Sequence, residues 1–253
     1  ASLERVALEP AETFEQRFLS RARSGEHDII FVSHVSYRTG RAFDAAFDLA
    51  DIARPEGPWV VIDGYHGFMA LPTRLRAVAD RIFYVSGGYK YAMAGEGVCF
   101  LHAPPGFAPR PAVTGWFAEF ADLAAPPGGV GYGVDGSRFL GATFDATGLY
   151  RFNAVREMLD EEGLDTGVIH DHVAACMADL EYAIGEGAAG RLLEAETVNP
   201  AGPGRRARFL ALRHPDARRW RQILENENVI ADARDDVLRI GFALYHDADD
   251  VAK

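Results

Sequence analysis

Trp59-Val60-Val61-Ile62-Asp63-Gly64-Tyr65-His66-Gly67 reads as a short strand that ends on a carboxylate and opens into a glycine-bounded turn. Its apolar run lacks polar alternation, which suits a strand covered on both faces, as in a parallel sheet. The flanking sequence repeats the theme. Asp28-Ile29-Ile30-Phe31-Val32-Ser33-His34-Val35 has the same continuous apolar middle, and Arg81-Ile82-Phe83-Tyr84-Val85 and Val98-Cys99-Phe100-Leu101-His102 add two more expected strands. An amphipathic helix over Glu12 to Arg23, with Phe14, Phe18 and Leu19 inward and Ser24-Gly25 as its stop, precedes the first strand. A helix over Ala42 to Ile52 turns Phe43, Ala46, Phe47 and Ala50 to one side, and a short helix is expected near Thr73 to Ala79. Strands alternating with helical segments define an α/β layered sheet.

The later half has a different rhythm. Leu149 to Glu161 and Val168 to Ile184 read as consecutive helices, the second with Val173, Cys176, Met177, Leu180 and Ile184 on its inner stripe. Arg208 to Leu212, Ala217 to Leu224, Val229 to Asp232 and Val237 to Phe242 then give strand, helix, strand, strand, the order of a small α+β domain. Pro104 to Pro127, interrupted by Pro and Gly and containing Trp116-Phe117, is an irregular excursion whose length marks function or partner contact.

The 253 residues, 48% hydrophobic and 25% charged, suffice for one large core or for a main domain with a smaller one. A formal charge of −11 argues against nucleic acid as partner and leaves room for a local phosphate pocket. Cys99 and Cys176 form no disulfide framework; a reducing, cytoplasmic setting is expected, with both cysteines in the core. No apolar run approaches membrane-spanning length.

Ligands of α/β sheets gather at the carboxyl ends of strands. Three polar clusters fall there: Ser33 to Gly40, Asp63 to Gly67 and Ser86 to Lys90. In Ser86-Gly87-Gly88-Tyr89-Lys90-Tyr91, a lysine between aromatics can sit partly desolvated, lose its charge and form a Schiff base. A solvated lysine on a glycine loop is the plainer alternative. Asp63, at the end of an apolar strand, needs a cationic or protonated partner. A helix cap, a metal or a pyridinium nitrogen each satisfies that need. Gly131-Tyr132-Gly133-Val134-Asp135-Gly136 fits GxGxxG without the strand a dinucleotide site requires. His170 and His172, two apart on a helix, point to different faces, so no metal site is expected.

Val61-Ile62-Asp63-Gly64-Tyr65-His66-Gly67 followed by Ser86-Gly87-Gly88-Tyr89-Lys90-Tyr91 resembles the fold-type I pyridoxal-phosphate enzymes of the class V aminotransferase group, most closely kynureninases. Ser33 to Gly40, Thr114-Gly115-Trp116-Phe117 and Val237 to Tyr245 agree with it. The resemblance implies an α/β fold with a three-layer, mostly parallel sheet. It places the later part of the cofactor-binding major domain at 1–148 and a small C-terminal α+β domain at 149–253. It implies pyridoxal 5'-phosphate as cofactor and an amino acid as substrate, with kynurenine-type hydrolysis as the leading activity. Class V transamination, desulfurase or lyase chemistry and a non-catalytic relative are the alternatives. Lys90 takes the role of the cofactor-bearing lysine and proton shuttle, and Asp63 that of pyridinium partner. His66 lies near the ring, Ser86, Tyr89 and Trp116 near the phosphate, and Arg239 grips the substrate carboxylate with Tyr37 near its side chain. Thr143 resembles the family's Gly-Thr loop, which reaches a neighbouring subunit's phosphate, although Ala142 stands where Gly is usual. A homodimer with shared active sites follows, and the family's upstream aromatic and phosphate-cradling turn are expected to precede Ala1. Gly185 to Arg239 contains no cysteine for desulfurase chemistry.

Overall fold

The structure, a computed structural model, describes residues 1–124, 126, 128–199, 201 and 206–252. The first sheet contains β1 (Ile29–Ser33), β2 (Trp59–Asp63), β3 (Ile82–Gly87) and β4 (Cys99–His102), in that spatial order. β1, β2 and β3 are mutually parallel, and β4 returns antiparallel to β3. The register Ser33 to Asp63 to Val85 aligns the carboxyl ends of the three parallel strands. Because β4 runs backwards, its first residue Cys99 lies opposite Gly87 at that same edge.

Alternation along the strands sends Ile30, Val32, Val60, Ile62, Ile82 and Tyr84 into one buried cluster. Phe14, Phe18 and Leu19 of α1 (Ala11–Ser24) pack on it, as do Ala46, Phe47, Leu49 and Ala50 of the turn Asp44–Asp51. Each large apolar side chain so buried contributes about 1.5–3 kcal/mol. The segment expected as an α-helix from Ala42 to Ile52 is a 3₁₀ helix. Its inward residues recur every three or four positions, a spacing that both helix types satisfy over eight residues.

β1 corrects a second expectation. Ile29 and Phe31 are 57% and 58% exposed, so this strand is covered on one face only. Within this sheet it is an edge strand, and its odd residues face away from the cluster. Cys99 is likewise exposed, contrary to the core position expected of it, because β4 is the opposite edge; Cys176 is buried as expected. The end of the excursion, at Ala125 and Pro127, lies outside the described residues.

The second sheet has the order β5 (Glu196–Thr197), β6 (Phe209–Arg213), β8 (Val237–Gly241), β7 (Asp232–Arg234), antiparallel throughout. β7 begins where Val229 to Asp232 was expected to end. Asn228 takes a left-handed turn at φ 62°, and pairing with β8 starts only at Asp232. Along the chain, α2 (Leu75–Val78) lies between β2 and β3, α3 (Thr147–Glu161) and α4 (Thr166–Gly185) between the two sheets, and α5 (Ala217–Asn226) and α6 (Ala248–Ala252) later. Asp165 caps α4 by accepting the Val168 N–H at 2.8 Å. Ile169, Val173, Cys176, Met177 and Leu180 of α4 share a core with Leu210, Leu212, Trp220 and Leu238. A third cluster joins Val35, Ala70 and Leu71, from loops of the first sheet, to Phe209, Ala211 and Val237 of the second. Among the described residues, no helix is long and apolar enough to cross a membrane.

Candidate active site

Asp63 ends β2, and each of its oxygens already holds one donor: Ser33 Oγ at 3.0 Å and the Tyr65 N–H at 2.9 Å. The Tyr65 bond closes an Asx-type turn that starts the loop carrying His66. Glycine is required on both sides of it. A Cβ on Gly64 would overlap the Tyr84 phenol, and one on Gly67 would overlap the His34 imidazole. His34 is immobile, since its Nε2 lies 3.0 Å from Asp44 Oδ1 and its ring packs against Phe47.

Lys90 lies on the loop between β3 and β4. That loop is held by bonds from the Gly88 N–H to Val98 O at 3.0 Å, from Ala94 to Gly88 O at 2.8 Å and from Met93 to Lys90 O at 3.0 Å. The two loops meet at one pair: Lys90 Nζ is 2.9 Å from His66 Nε2 and 3.2 Å from Nδ1. Its amine also lies 5.7 Å from the Tyr65 ring centroid and 5.5 Å from that of Tyr89, within cation–π range. Lys90 and the terminal Lys253 are the only lysines in the sequence, a bias toward arginine that singles out this position.

Burial pushes the Lys90 amine below its ordinary pKa, the Arg239 charge pushes the same way, and Asp63 opposes both. His66 is lowered to about 4, chiefly by burial and then by the charges of Lys90 and Arg239. His66 is therefore neutral at pH 7 and can accept a hydrogen bond from Lys90. Tyr65 is raised by burial first, with Cys99, Tyr89 and Asp63 adding to it. The arrangement supplies an amine whose basicity burial lowers, a neutral imidazole beside it and a carboxylate at the sheet edge.

Arg239 sits within β8, opposite Asp232 on one side and Ala211 on the other. It donates Nη2 to the Asp232 carboxylate and Nη1 to the Tyr37 carbonyl, while its buried Nε has no partner among the described residues. Burial lowers its pKa. Asp63, His66, Tyr89, Lys90 and Arg239 thus share one electrostatic neighbourhood, and Tyr37 reaches it through its backbone. Ser86 does not join them by any hydrogen bond. Val85 pairs with Asp63 and shares its face, so Ser86 turns to the opposite, fully buried side, its Oγ without a partner among the described residues. Trp116 is half exposed against Phe117 and Phe120, and Thr143 is exposed. A cavity of about 1600 Å³ runs beside β1 from residues 1–8 to Ser33 and Tyr37, at the flank of this group.

Sequence reading assigned no role to Ser33, Tyr65, Asp232 or Arg208. Tyr65 stood inside the decisive motif, and Ser33 follows from strand register. Asp232 had no signal, because its cross-strand partner depends on where β7 begins.

Residues 179–253 match the Kynureninase C-terminal domain family. A stretch of 103 residues is 37% identical to isopenicillin N epimerase of Streptomyces clavuligerus, covering 39% of this chain and 25% of the epimerase. The apo structure of cysteine desulfurase from Thermococcus onnurineus NA1 aligns with a TM-score of 0.72 at 19% identity, over 94% of this chain and 60% of that one. The cystine C-S lyase C-DES, in complex with cysteine persulfide, gives 0.68 at 17% identity over 93% and 62%. The chain has the fold of these solved neighbours, and its residues 179–253 match the kynureninase C-terminal domain. The α/β, mostly parallel arrangement expected from sequence is the fold of these neighbours. The chain spans about three-fifths of the solved structures it matches, and its alignment with the epimerase covers a quarter of that enzyme. At this identity the solved neighbours establish the fold and leave the reaction open.

Proposed function

We propose that the protein binds pyridoxal 5'-phosphate at Lys90 and acts on an amino acid, with kynureninase-like hydrolysis as its reaction. The carrying observation is the Lys90–His66 pair beside Asp63, with Arg239 close enough to bias both. Related proteins support the cofactor: a C-DES variant has glycine covalently linked to its PLP cofactor. The residues fit the group. Asp63 retains lone pairs beyond the two its donors occupy, enough to accept a pyridinium N–H. Burial lowers the basicity of Lys90, the direction that favours a nucleophilic amine. Among the described residues, the buried Nε of Arg239 has no partner.

When bound, the cofactor supplies an electron sink for charge developing at the substrate α-carbon. Lys90 moves the α-proton, helped by a neutral His66 that accepts its hydrogen bond. Asp63 keeps the ring nitrogen protonated. Arg239 grips the α-carboxylate with a guanidinium already oriented by Asp232 and Tyr37 O. Water addition at the γ-carbonyl then divides a kynurenine into an anthranilate-type acid and alanine. The match of residues 179–253 to the kynureninase C-terminal domain supports this branch. Exposed Trp116 and Thr143 suit a homodimer in which each subunit contributes to the other's site, with 1–148 as the later part of the major domain and 149–253 as the small one.

The 37% identity to isopenicillin N epimerase favours a second reading, in which the α-proton is removed and returned on the other face. Product analysis separates the two. The cofactor-loaded protein is expected to release equimolar alanine and anthranilate from L-kynurenine. Inversion at the α-carbon of an amino acid or peptide without cleavage would replace hydrolysis by epimerisation.

A further inference from the structure

Arg208 is the most deeply buried cation among the described residues, 1% exposed, and lies immediately before β6. Its Nε and Nη1 have no hydrogen-bond partner among the described residues, and Nη2 donates to the Met69 carbonyl. Its guanidinium carbon lies 5.4 Å from the centroid of the Tyr91 ring. These two contacts fall on the two loops of the candidate site, since Met69 follows His66 by three residues and Tyr91 follows Lys90 by one.

Both loops need an outside prop. Met69 takes a left-handed backbone at φ 60° and Met93 one at φ 54°, a conformation costly for a residue with a side chain. Met69 is held from three directions. Arg208 binds its carbonyl, Arg156 Nη1 lies 3.1 Å from its Sδ and Thr166 Oγ1 3.6 Å from the same atom. The Tyr91 ring, packed among the apolar residues around the second sheet, is the surface against which the guanidinium rests. A lone buried cation without a carboxylate is costly to retain. Apolar side chains would fill the same space, so the donor and the charge are what the position keeps.

We infer that Arg208 is a positioning residue: by holding the Met69 carbonyl and the Tyr91 ring at once, it fixes the spacing of the His66 and Lys90 loops and ties it to the second sheet. This rests on Lys90 and His66 being the reactive pair. Around Lys90 Nζ stand His66, Asp63, Arg239 and the phenols of Tyr65 and Tyr89, none of which Arg208 touches. Its effect on Lys90 therefore runs through geometry.

The test is competitive acetylation of Lys90 against pH, read by peptide mass spectrometry on the full chain without cofactor, so it does not depend on the proposed reaction. In Arg208→Met the loops loosen, Lys90 gains water, and its labelling midpoint is expected to rise toward the ordinary lysine range. Arg208→Lys, which keeps a donor and a charge, is expected to restore the wild-type midpoint. Where Arg208→Met does not fold, Tyr91→Phe and Tyr91→Leu make the same comparison, with a shift expected only in the leucine variant. A folded Arg208→Met or Tyr91→Leu protein with the wild-type midpoint overturns the inference. So does an Arg208→Lys protein shifted as far as the methionine variant. Failure of the wild-type protein to take up pyridoxal phosphate would instead count against the proposed function.

Discussion

At the scale of single residues, the site is governed by competition over one amine. Burial and the Arg239 charge lower the Lys90 pKa, and the Asp63 carboxylate raises it. The sign of an Asp63 substitution follows. Asp63→Asn removes the charge that favours the ammonium, so the Lys90 labelling midpoint is expected to fall below that of the wild type, opposite in direction to Arg208→Met. Competitive acetylation across pH measures both, and a midpoint that stays put or rises in Asp63→Asn would show that this carboxylate does not act on Lys90. That Asp63 and Lys90 lie at one edge of the sheet was legible in sequence because each follows an apolar strand that stops on a polar loop, whereas His66 was placed by the resemblance alone. Arg208 was not legible. A single arginine at the start of a strand reads as a surface charge, and only tertiary packing on Met69 and Tyr91 gives it another meaning.

At the scale of elements, the same sequence type produced two different strands. β1 and β2 share continuous apolar middles, yet Ile29 and Phe31 are exposed while their neighbours Ile30 and Val32 are buried. A period of two decides which residues point inward, but an unbroken apolar run carries no record of whether the second face is covered. The contrast can be measured. Phe31→Thr is expected to change unfolding free energy by no more than about 0.5 kcal/mol, whereas Ile30→Ala is expected to cost about 2–5 kcal/mol. Denaturant titration compares them, and a Phe31→Thr loss as large as that of Ile30→Ala would mean that both faces of β1 are packed. The 3₁₀ helix from Asp44 to Asp51 escaped sequence reading for a related reason: its inward residues satisfy either helical period, and the shortness of the segment leaves no drift to separate them.

At the scale of the whole molecule, the site exists only because separate parts of the chain converge. β2 brings Asp63, the loop after β3 brings Lys90, and β8 of the second sheet brings Arg239 to a backbone carbonyl at Tyr37. Strand alternation made the α/β class readable, and the order of motifs pointed to the class V resemblance. The depth of Ser86, the exposure of Trp116 and Thr143, and the Asp232 grip on Arg239 depend on register and packing, which spacing does not encode. The −11 overall charge does not by itself oppose a phosphate-bearing ligand here, because at His66 the charges of Lys90 and Arg239 each act more strongly than that of Asp63. Covalent capture tests the convergence most directly. Pyridoxal phosphate added to the folded protein, followed by borohydride and peptide mapping, is expected to give a visible absorbance band before reduction and a fixed pyridoxyl adduct on Lys90 that Lys90→Ala abolishes. Folded protein with no band, or with the same band and adduct yield after Lys90→Ala, would contradict the assignment of Lys90 as the cofactor-bearing residue.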